Sequence, residues 1–157
     1  MNEDQVSTLT ESLERIRLIE AKAADLFYEE LFRQRESLRE RFAHTDMTRL
    51  KGELMRVIEG VVGYLAARDA DSASANTFIA ELYQLGQRHR SQWHVQDDDY
   101  ELAKAAFMSV LGQAFAELWD NDKELKRREI DAWSEMFDWL ADTMILGANK
   151  NGQTSGR

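Results

Sequence analysis

The sequence predicts an all-α protein, and three observations carry that prediction. Apolar residues recur three and four positions apart along nearly the whole chain, the spacing that gathers one face of a helix. Proline is absent from all 157 residues, so nothing obliges a helix to break. No alternating apolar–polar run, and no Asn-Gly turn between apolar runs, marks a β-hairpin.

The elements come in order. Val6, Leu9, Leu13 and Ile16 form the first helical stripe, and Ala23, Ala24, Phe27 and Leu31 form the second. A short piece then carries Leu38 and Phe42. Ala43 to Asp46 interrupts the pattern, and Asp46 or Thr48 can cap the next helix. Leu50, Leu54, Val57, Ile58, Val61 and Leu65 then give the cleanest amphipathic helix of the chain. Small, polar Arg68 to Asn76 reads as the longest internal connection.

Beyond it, Phe78, Leu82, Leu85 and His89 share one stripe. Asp97, Asp98 and Asp99 precede a helix with Tyr100, Ala103, Phe107, Val110, Ala114 and Leu118 on its face. Three acids at that place read as an N-terminal cap favoured by the helix dipole. They lack the alternating carboxylates and glycine of a calcium loop. Asn121 and Asp122 open the last helix, which carries Ile130, Trp133, Phe137, Leu140 and Met144. Gly147 is the expected stop, which makes 1–147 one domain and 148–157 a polar, disordered tail.

Composition narrows the function. Residues scored hydrophobic make up 43% and charged residues 31%, the balance of a globular chain. Acids outnumber bases by 29 to 20, for a formal charge of -9, so neither nucleic acid nor an anionic membrane is an expected partner. With no cysteine, disulfides, thiolate metal sites and thiol nucleophiles are excluded. The polar, acidic N-terminus is unlike a secretory signal. The most apolar stretch, Val57 to Ala67, contains Glu59 and is too short to span a bilayer. A cytoplasmic protein is the expectation. Glu11–Glu14, Glu29–Glu30 and the run Lys123 to Glu129 read as solvated helix faces. No phosphate-cradling glycine loop, nucleophile elbow or HExxH pair is present.

His89 is the most informative single residue. It takes the next slot of an otherwise apolar stripe, where an imidazole must satisfy both nitrogens by hydrogen bonds or a metal. From spacing alone, a core histidine satisfied by protein partners is the commoner outcome. No second His lies four residues on, so a zinc-type helical pair is absent. One imidazole in an apolar helical pocket is nevertheless sufficient for a haem iron, because the porphyrin brings the other four nitrogens. Tyr28, beside Phe27, would need a partner for its hydroxyl if buried. Phe42 is by itself an ordinary core anchor.

Taken together, LFYEELF (26–32), LRERF (38–42), the stretch 45–55, LGQRH (85–89) and DAW…LA (131–141) make the chain resemble a globin. It is similar to single-domain bacterial haemoglobins and the haem domains of flavohaemoglobins. Tyr28 fourteen residues before Phe42, with LGQRH downstream and Tyr100 eleven residues past His89, is the most specific part of the match. The resemblance implies about seven to eight helices around a pocket for haem b (iron protoporphyrin IX). It makes His89 the iron ligand, Phe42 the ring stacked on the porphyrin, and Tyr28 the distal donor aimed at a diatomic ligand. Leu50 falls where the family usually carries a distal Gln or His, and Leu54 lies one turn on. Val95 would touch the haem edge, and Tyr100 would line the proximal side.

Two departures bear on activity. Leu50 cannot donate a hydrogen bond, which leaves Tyr28 as the main distal polar group. The glutamate that strengthens the proximal histidine in flavohaemoglobins falls at Ala148 here, which weakens the case for an oxidative enzyme. The resemblance implies a monomer or homodimer that binds O2, and NO or CO, reversibly. NO detoxification would need an external electron-donating reductase. The other readings are a gas or redox sensor acting on a partner, and a haem-free interaction domain that kept the fold.

Overall fold

A computed structural model of the protein describes residues 1–67 and 72–155. They form α1 (Glu3–Arg17), α2 (Glu20–Gln34), α3 (Glu36–Arg41), α4 (Met47–Ala66), α5 (Ser72–Trp93), α6 (Asp99–Ala114), α7 (Ala116–Asn121) and α8 (Lys123–Ser155), with no strand among them.

The helix starts are written locally. Asn2 and Gln5 make a reciprocal capping box at α1, each side chain accepting from the other's backbone N–H at 2.9 Å. At α4 the cap is Asp46, whose carboxylate accepts from the N–H of Thr48 and Arg49 at 3.1 and 3.3 Å. The expected stripes then go inward: Leu9, Leu13 and Ile16 from α1, Ala23, Ala24, Phe27 and Leu31 from α2, and Ile58 and Val61 from α4 are all buried. α5 lies along α8, α2 packs on α6, and α1 bridges α8 and α4. The core between them is heavily aromatic, with Phe107 against Trp133 and Phe137 at ring separations of 5.1 and 4.6 Å.

Five expectations are corrected. Ser72 to Asn76 is the first turn of α5 rather than connection, and Arg68 to Asp71 lies outside the described residues. The three aspartates give α6 no side-chain cap. Instead Asp97 pairs with Arg90, Asp98 with Arg35, and Asp99 is buried between Arg35 and Arg41. Ala114 and Leu118 face solvent, because the helix breaks at Phe115 and the core takes Leu111, Phe115 and Trp119.

The run Lys123 to Glu129 is solvated only in part. Glu129 is fully buried, accepting from Arg15 and, at 2.8 Å, from the indole N–H of Trp119. A buried carboxylate persists because Arg15 neutralises it and both partners hydrogen-bond it. Finally, Gly147 does not end α8, which continues to Ser155 with Ala148 buried. A Cβ on Gly147 would sit 2.3 Å from the Cα of Tyr83, so this glycine marks a close helix crossing and not a stop.

Candidate haem pocket

One cleft gathers all seven residues singled out in the sequence. Tyr28 reaches it from α2, Phe42 from the end of α3, Leu50 and Leu54 from α4, His89 from α5, Val95 from the following corner and Tyr100 from α6. The cleft is partly open to solvent and has a cavity volume of about 140 Å³. Its walls are mostly apolar.

His89 is tethered from one side. Its Nδ1 lies 3.3 Å from the hydroxyl oxygen of Tyr100. With the proton on Nδ1 donated to that oxygen, the lone pair of Nε2 is left free. Burial, reinforced by the positive charge of Arg88, lowers the imidazole's pKa to about 4, so it is neutral at physiological pH. Burial likewise pushes the Tyr100 hydroxyl up to about 12, and it stays protonated. Ala148 offers no carboxylate, and among the described residues Tyr100 is the imidazole's hydrogen-bond contact.

Tyr28, which lines the same cleft, is buried, and its hydroxyl donates to the carbonyl of Leu50 at a long 3.5 Å. Burial and the nearby charge of Glu53 hold its pKa well above the ordinary tyrosine value. It is therefore a permanent donor with only a weak present acceptor. Leu50 is buried beside it and contributes no polar atom from its side chain.

Three cleft residues escaped sequence reading. Trp93 is the next turn of the stripe Leu85–His89, and its ring lies 5.5 Å from both His89 and Phe42. The periodicity held that signal, since 93 comes one helical turn after 89. Glu53 also lines the cleft, and its carboxylate pairs with Arg49 at 3.4 Å. Asp99 accepts from Arg35, from Arg41 and from the backbone N–H of Gln96. With the Trp93 indole donating to Thr45 at 3.1 Å, these contacts fasten the corner after α3 to the corner after α5. His44 and His94 are exposed and do not line the cleft.

Fold and cleft define a helical protein in which one imidazole and the tyrosines Tyr28 and Tyr100 line the same apolar space. A globin family model matches residues 25–144, and the chain belongs to the globin family. Among solved structures it is similar to a Pseudomonas aeruginosa protein described as structurally highly homologous to a human haemoglobin. The two share 21% identity over 92% of this chain and 98% of that one, with a TM-score of 0.70, a likeness of fold. No curated protein sequence matches the chain. Among the described residues no helix is long and apolar enough to cross a membrane.

Proposed function

We propose that the protein binds haem b in this cleft and holds O2 reversibly, with NO and CO as further ligands. One observation carries the reading. A neutral, Tyr100-tethered imidazole and a buried, protonated Tyr28 hydroxyl line the same apolar cleft. The donor set fits the cofactor. Among the described residues no three His, Asp or Glu side chains gather to hold a bare metal ion, and cysteine is absent. A single imidazole is enough when a porphyrin supplies the remaining nitrogens.

Bound haem supplies an iron with a position open to a diatomic gas. His89 would ligate it through Nε2, while Tyr100 keeps the proton on Nδ1 and fixes the ring. Phe42 and Val95 would pack against the porphyrin, and Leu50 and Leu54 would keep water from the ligand side. Tyr28 would turn its hydroxyl from the Leu50 carbonyl to a polar ligand. With Ala148 in place of a carboxylate, the imidazole gains no further electron-donating push, which favours binding over oxidative catalysis. NO detoxification in the cytoplasm would also need electrons from a reductase, acting on a monomer or homodimer.

The test is the absorption spectrum of the purified, haem-reconstituted protein in ferric, ferrous and CO-bound forms. A Soret band that disappears in His89→Ala is expected. A protein that takes up no haem, and whose fold is indifferent to His89→Ala, would instead be a haem-free interaction domain.

A further inference from the structure

The crossing of α5 and α8 bears directly on His89. At that crossing neither Gly86 nor Gly147 has room for a side chain. A Cβ on Gly86 would lie 2.0 Å from the carbonyl oxygen of Met144, and one on Gly147 would lie 2.3 Å from the Cα of Tyr83. Both obstacles are backbone, which cannot swing aside as a side-chain tip can. Polar straps flank the contact. Gln87 Nε2 donates to the Gly147 carbonyl at 3.2 Å, and Arg90 donates to the Asn149 side chain at 2.8 Å. Tyr83, Gly86, Gln87 and Arg90 thus face α8, whereas Leu85, His89 and Trp93 face the cleft. At about 100° per residue, the two faces lie about a third of a turn apart on α5.

We propose that Gly86 is a positioning residue for the proximal imidazole. The backbone contact it permits with Met144 sets how closely α5 lies on α8, and so holds the His89 ring square to the haem iron. This rests on the haem reading above. Because the two faces are a third of a turn apart, lifting α5 off α8 carries His89 mostly sideways. With the ring displaced, the Nε2 lone pair would be less well aimed at a bound iron, and that bond would weaken.

The reporter is the iron–imidazole stretching band of the ferrous, ligand-free protein, read by resonance Raman spectroscopy. In Gly86→Ala the band is expected to move to lower frequency with the Soret band retained. Gly60→Ala is the control, since its Cβ would meet only the Phe78 ring, at 2.9 Å, far along α5 from His89. It disturbs the contact between α4 and α5 and should leave the band in place. A band unmoved in Gly86→Ala, or moved equally in both variants, overturns the proposal while the haem reading stands. If Gly86→Ala does not fold, Gln87→Leu removes the strap to Gly147 and should also lower the band; an unmoved band there overturns the proposal. A wild-type protein with no Soret band after haem addition overturns the haem reading itself, and this inference with it.

Discussion

Replacing Tyr28 with Phe isolates one hydroxyl. Its present acceptor, the Leu50 carbonyl, is 3.5 Å away, so little is lost when a ligand draws the donor off. O2 held by ferrous haem carries partial negative charge, and a hydrogen bond to a charged acceptor contributes about 1.5–3 kcal/mol. At about 1.4 kcal/mol per tenfold, O2 release from Tyr28→Phe should be about 10- to 150-fold faster. CO is less polarised, and its release should change much less. The weak native hydrogen bond also means that urea unfolding of the variant should differ from wild type by no more than about 1 kcal/mol. Stopped-flow displacement of O2 and CO on both proteins reads the kinetic half directly. Unchanged O2 release, or CO release accelerated as much as O2 release, refutes the distal role of Tyr28.

His89→Ala should abolish the Soret band while far-UV circular dichroism stays helical, and added imidazole should restore haem binding; retained haem absorption would exclude His89 as the ligand. In Asp99→Asn the fastening between the two corners loses its charge, so haem transfer to an acceptor apoprotein should quicken about tenfold, equivalent to about 1.4 kcal/mol. Arg15→Leu leaves the fully buried Glu129 carboxylate without its counter-charge, and urea titration should show a loss of about 3 kcal/mol; a loss under about 1 kcal/mol would contradict the buried pairing. The haem-free protein should also be acid-sensitive through His89, whose folded pKa of about 4 lies below the ordinary value of about 6.5. The unfolded chain takes up this proton first, so the contribution is complete above pH ~6.5 and as much as roughly 3 kcal/mol is lost as pH falls towards ~4. His89→Leu should lack that component when the two proteins are titrated side by side.

Much of the architecture was legible because helix periodicity is a local property. Leu9, Leu13, Ile16, Phe27, Leu31 and Ile58 could be assigned inward from spacing alone. That His89 and Tyr28 belong to one cleft was legible only through the resemblance to globins, since spacing alone reads His89 as a core histidine with protein partners. What failed is tertiary. Gly147 looks the same in sequence whether it stops a helix or admits a neighbouring backbone, and only the position of Tyr83 decides. Glu129 comes after three cations and reads as solvated, until Arg15 and Trp119 arrive from other helices. Asp97, Asp98 and Asp99 are chemically identical neighbours, and Asp99 alone is turned inward by the register of α6.

The cluster of Arg15, Glu129 and Trp119 also limits the routes by which this sequence can diverge. Each member satisfies another, with the Arg15 guanidinium resting 4.9 Å from the centre of the Phe115 ring as well. Exchanging Arg15 strands the buried Glu129 charge and exchanging Glu129 orphans the Trp119 N–H, whereas a joint exchange for apolar residues of matching volume can be neutral. Substitution at one member of the trio is therefore costlier than joint substitution, whereas exposed Arg127 and Arg128, a turn or less away on α8, carry no such coupling to the core.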